Sequence, residues 1–96
     1  MFNPPHPGSI LKELYLEPLN LTVTGASLSL GITRKTLSFI INEKSSISSS
    51  MAIRLSAAFP NTGPEYWLNL QQQYDIWNAK KNIDISHIKI LHSMSA

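Results

Sequence analysis

Arg34 and Lys35 stand side by side behind Thr33, and Thr36, Ser38 and Asn42 follow within a few helical turns. An arginine presents two parallel donors that fit a guanine edge, and a lysine is a less directional donor. Hydroxyls and amides on the same surface bond phosphate oxygens, which set register and affinity without reading sequence. The chemistry on offer is recognition by charge and hydrogen bonding. Serine is plentiful, but no serine, histidine and acid share a recognisable catalytic context, and no phosphate-binding glycine loop exists. An enzyme is not expected. With no cysteine in the chain, disulfides, thiolate metal sites and a cysteine nucleophile are excluded. His87 and His92 are five residues apart, off a common helical face, and with His6 they make no ligand set. No metal or cofactor is expected.

The charge distribution points to the same segment. Residues 34–54 hold Arg34, Lys35, Lys44 and Arg54 against Glu43, a balance of +3, while the whole chain carries only +2. The first 33 residues are at −1 and the last 42 are neutral. A local basic surface is where phosphates dock, although the same cations also suit an ordinary solvated face. Hydrophobic residues make up 43% of the 96 and charged ones 15%, too apolar for a disordered chain and too short for two domains. No apolar run approaches the ~20 residues of a membrane helix. The opening Met1-Phe2-Asn3-Pro4-Pro5-His6 lacks the basic lead and apolar core of a secretory signal. A cytoplasmic protein with no membrane partner is expected.

Short helices must position these residues. Pro4, Pro5 and Pro7 lead into a helix with Ile10, Leu11 and Leu14 at helical spacing, and Pro18 ends or kinks it. Thr22 or Thr24 caps the next helix, which stops at Gly31, the residue suited to a left-handed exit. Thr33 caps a helix from Arg34 to about Ile41. Five serines among residues 45–50 form a loop, one of them capping a helix from about Met51 to Phe59. Pro64 opens the last long helix, whose apolar stripe is Trp67, Leu70, Tyr74 and Trp77. Residues 1–81 form the domain. Residues 82–96 are a tail, predicted as a short strand, an extra helical turn or disordered.

Residues 23–42 have the layout of two helices crossing steeply about a tight turn. Ala26, Leu30, Ile32, Leu37 and Ile40 supply the inner face, and Ser27 is small where the helices approach. This segment resembles the helix-turn-helix of Cro/repressor-type domains. Three flanking blocks narrow the likeness. Asn3-Pro4-Pro5-His6-Pro7-Gly8-Ser9-Ile10-Leu11 and the blocks Met51–Leu55 and Tyr66–Trp77 are similar to the HigA antitoxins, also called VapI-like plasmid-maintenance antidotes. The resemblance covers residues 3 to about 81. It implies an all-α, five-helix Cro/repressor-like fold with a C-terminal tail. It also implies an antitoxin that binds double-stranded operator DNA as a homodimer, represses its own operon and neutralises a HigB-like ribonuclease toxin.

The chain departs from the family pattern at several positions. Gly25 lies inside the first helix of the motif, Ser27 replaces alanine and Leu28 replaces a charged residue. Glu43, Ser45 and Ser46 stand where glycine and a basic residue often occur. The loss of a phosphate partner there predicts weaker DNA affinity. The expected DNA-contacting residues are Thr22, Thr24, Thr33, Arg34, Lys35, Thr36, Ser38, Asn42 and Lys44. For Phe39, touching a thymine methyl and packing under the serine loop both stay open. Arg54 is expected to support the fold, by pairing with a carboxylate or covering the core with its stem. Trp67, Leu70, Tyr74 and Trp77 are the expected dimer surface. Two other functions fit the same residues: a free-standing repressor without a toxin, and a protein-interaction module that has lost DNA binding.

Overall fold

The computed structural model describes residues 3–92. The first two residues of the opening and the last four of the tail lie outside the described residues. Helix α1 spans Pro7–Ile10 and continues without a break into a π-helical segment, Leu11–Leu16. Helices α2 (Val23–Leu30), α3 (Arg34–Ile41), α4 (Ser49–Ala58) and α5 (Pro64–Asn82) follow. With α1 and its π continuation counted together, five helices and no strand make up the described residues. No helix among them is long and apolar enough to cross a membrane.

Local chemistry sets most of the boundaries. His6 caps α1, its Nδ1 accepting from the Gly8 amide at 2.9 Å. Thr22, Thr33 and Ser48 cap α2, α3 and α4 through hydroxyls that accept from the amide three residues on. Ser48 starts α4 two residues earlier than the apolar pattern predicts. Pro64 opens α5 at a position where its missing amide hydrogen costs nothing.

The first helix differs from its predicted register. A π turn places residues five apart on one face, so Leu16 joins Leu11 in the core while Leu14 points out, 60% exposed. Glu17 donates to the Lys12 carbonyl in the same five-residue pattern. Pro18 then ends the segment, since it has no amide hydrogen to continue it.

Leu11, Leu16, Ala26, Leu30, Leu37, Ile40, Ile47, Met51, Ala52, Leu55 and Trp67 form one buried cluster. Helix α2 packs on α3 and α4, α4 packs on α5, and α1 packs on both α3 and α5. Helices α1 and α3 approach closely at Gly8. A Cβ built on Gly8 would fall 1.8 Å from the Ile40 carbonyl oxygen, so only glycine admits this crossing. Ser27 is fully buried and satisfies its hydroxyl on the Thr24 carbonyl three residues back, at 2.9 Å. Ile32 is half-buried rather than part of the inner core.

Trp67 needs correction as a dimer residue. It is 0% exposed, and its indole donates to Thr62 Oγ1 at 3.0 Å. The Tyr15 ring packs against it at a tilt, with centroids 5.2 Å apart, and against Phe59 at 4.8 Å. The residue therefore belongs to the chain's own core and offers no surface to a second copy. Leu70, Tyr74 and Trp77 are half-buried. Tyr74 meets the His6 ring edge-on at 4.9 Å, and the Lys81 ammonium sits 3.9 Å from the Trp77 ring.

Residues 83–92 take neither the strand nor the extra helical turn foreseen for the tail, and all are exposed. Asp84 turns the chain by accepting from the Ser86 amide, and Ile88 donates to the Ile85 carbonyl. A lone strand leaves its backbone groups without a ladder partner.

Candidate nucleic-acid interface

Two helix starts and one helix flank make the basic surface. Helices α2 and α3 open with no acidic residue in the first turn, whereas α5 carries Glu65 there. Their unpaired amides and dipoles leave both starts electropositive. The first residue of α2, Val23, borders an open recess shared with Arg34, Lys35 and Ser38. The two starts thus share one surface.

The expected contact residues take different places on it. Arg34, Lys35 and Thr36 are exposed in the first turn of α3. Leu37 and Ile40 point inward, at 0% and 2% exposure, which turns Lys35, Ser38, Phe39 and Asn42 outward at spacings of three and four. Thr33 and Thr36 are engaged locally: the Thr33 hydroxyl accepts from the Thr36 amide at 3.1 Å and lies 2.8 Å from the Thr36 hydroxyl. Capping is therefore the first role of Thr33. Thr22 caps α2 from an exposed position, and Thr24 is exposed in the first turn of that helix. Asn42 closes α3, its Nδ2 donating to Ser38 Oγ at 3.2 Å. The serine keeps its own hydroxyl hydrogen to donate elsewhere. Lys44 is exposed just past the end of α3.

The ends of α2 and α3 hold the surface in place. Gly31 leaves α2 with φ of 70°, and Arg54 reaches across from α4 to the Leu30 and Gly31 carbonyls at 2.8 and 3.3 Å. The partners of Arg54 are thus the unpaired carbonyls of a helix end rather than a carboxylate, a favourable place for a cation. Glu43 leaves α3 in the same left-handed region, with φ of 62°. The loop that follows is fastened by Gln71, which sequence reasoning did not single out. Its buried Oε1 accepts from the Ile47 amide at 2.8 Å, and its Nε2 donates to Asp75 at 2.9 Å. The available signal was its place one turn beyond Trp67, on the inward side of α5.

His6 sits behind the same loop. It is 4% exposed, and burial holds its pKa below the usual histidine value, against the opposing pull of Glu43, Asp75 and a backbone hydrogen bond with Ser45. Its Nδ1 is occupied as the cap of α1.

Residues 11–67 match the helix-turn-helix family. The chain is 50% identical to virulence-associated protein A' of Dichelobacter nodosus over 79% of its own length, and it spans 65% of the length of that protein. The antitoxin GraA in complex with its operator superposes with a TM-score of 0.87 at 32% identity, covering 96% of this chain and 95% of that one. The Pseudomonas aeruginosa antitoxin HigA with the higBA promoter superposes with a TM-score of 0.82 at 31% identity, covering 93% and 99%.

Proposed function

Because the chain belongs to the helix-turn-helix family, we propose that it is a HigA-type antitoxin that binds operator DNA and represses its own operon. The observation that carries this reading is the surface where the starts of α2 and α3 meet, free of acids and flanked by exposed Arg34 and Lys35. The first turn of α3 enters the major groove and Arg34 or Lys35 bonds base edges. Thr22, Thr24, Ser38, Asn42 and Lys44 bond phosphates, and Thr33 and Thr36 hold the helix start in shape. Repression follows from excluding polymerase at the bound site. One eight-residue helix reads few base pairs, so a two-fold dimer on a palindromic site supplies the remaining specificity. The half-buried Leu70, Tyr74 and Trp77, with the exposed apolar residues of the tail, are the surface for that dimer. The chain also neutralises a HigB-like ribonuclease encoded beside it.

The test is co-purification with the product of the adjacent gene, followed by titration of upstream DNA with each form at several salt concentrations. A stable complex and an affinity that falls steeply with salt are expected, since cations displace condensed counterions. Salt-independent binding removes the phosphate contacts, and Arg34→Ala binding as tightly and with the same base preference removes α3 from the readout. Absence of a complex with the neighbouring product leaves a repressor without a toxin.

A further inference from the structure

The outward side of α3 carries one residue that hydrogen bonding leaves unexplained. Phe39 lies among Lys35, Ser38 and Asn42, is 42% exposed, and is absent from the residues packed on the core. The serine loop was its alternative cover. The loop fastens to the Phe39 backbone, where the Lys44 and Ser45 amides donate to its carbonyl at 2.8 and 3.3 Å. The ring keeps an exposed part at the surface, and the Lys35 ammonium lies 5.6 Å from its centroid. Ser38 and Asn42 are tied to each other beside it. An apolar ring is thus held between ordered polar groups on the face turned to DNA. The major groove offers such a ring one apolar feature, the C5 methyl group of thymine.

We propose that Phe39 is a specificity-determining residue that reads a thymine by packing its ring on that methyl group, with Lys35 held across the ring. This deepens the DNA-binding reading and rests on it. The assignment places a thymine in each half-site next to the position that Arg34 or Lys35 contacts.

Duplexes enriched from a random library by the full chain supply the probe. Each thymine of the recovered site is replaced in turn by deoxyuridine, which keeps base pairing and removes only the methyl group. At one thymine per half-site, binding should weaken about fourfold, the worth of one buried methyl group. Phe39→Ala should bind the thymine and deoxyuridine duplexes equally while melting at an unchanged temperature. Indifference of the unsubstituted chain to every replacement overturns the proposal, as does full methyl discrimination by Phe39→Ala. Enrichment of no duplex overturns the DNA-binding reading as well, so the two failures are distinguishable.

Discussion

Helices α2 and α3 leave by the same backbone turn on different residues. At the end of α2, Gly31 has φ of 70°, its amide donates to Leu28 and the next amide donates to Ser27. At the end of α3, Glu43 has φ of 62°, its amide donates to Ile40 and the next donates to Phe39. Both are six-to-one turns that pair otherwise unsatisfied carbonyls. Glycine adopts this region without strain, whereas a side chain costs about 1–2 kcal/mol there. The supports differ too. A cation from α4 clasps the α2 exit, while the α3 exit is wedged against α1 at Gly8 and backed by His6. The first exit is built for conformational ease. The second tolerates strain and places a carboxylate beside the proposed DNA face.

Substitutions can break this contrast, the most damaging at the α3 wedge. Gly8→Ala puts a methyl group into the Ile40 carbonyl, backbone against backbone, and should cost about 3 kcal/mol in denaturant unfolding. Gly31→Ala should cost about 1.5 kcal/mol from the left-handed backbone. It also crowds Arg54 Nη1, which lies 2.8 Å from the added carbon and can swing aside. Arg54→Met keeps the stem but leaves the Leu30 and Gly31 carbonyls to water, a loss of about 1 kcal/mol or less. Glu43→Gly should act in the opposite direction. Relief of strain outweighs the added freedom of the unfolded chain by about 0.5 kcal/mol, and operator affinity should rise because a negative charge leaves the phosphate side.

The smallest expected effect is on pH dependence. Burial favours neutral His6, so its folded pKa lies below 6.5 and the unfolded chain binds the proton more readily. The stability this contributes is present above pH 6.5 and is lost as pH falls through the folded value. Unfolding at stepped pH should show that loss, and His6→Asn, which can still accept from Gly8, should flatten it. In Glu43→Gly the loss should grow, because one of the groups that favour the charged imidazole is gone.

What was legible in the sequence follows the range of the forces involved. The caps at Thr22 and Thr33, the exits at Pro18 and Gly31 and the entry at Pro64 depend on residues within one turn, and pattern rules reach that far. The inward positions of Ala26, Leu30, Leu37 and Ile40 follow from helical spacing alone. Other features depend on elements distant in the chain. Gly8 is required by α3, Arg54 is claimed by α2, and Gln71 is recruited by the loop at Ile47. The aromatic stripe misled for the same reason: spacing places Trp67 and Trp77 on one face, but only packing decides that Trp67 is enclosed, with Tyr15 and Thr62 against it. In the candidate site, spacing identified the outward side of α3. It did not decide whether the loop would cover the Phe39 ring.

The π segment at Leu11–Leu16 bears on how the chain can change in length. A π turn holds one residue more than the α turn it replaces, and here the surplus lies near Leu14, which faces outward. Shortening the segment by one residue returns it to α geometry, with the His6 cap and the Pro18 exit left in place. The opening helix thus carries a spare position ahead of the recognition elements. A one-residue deletion there should be absorbed as a change of helical winding, with the placement of α3 kept.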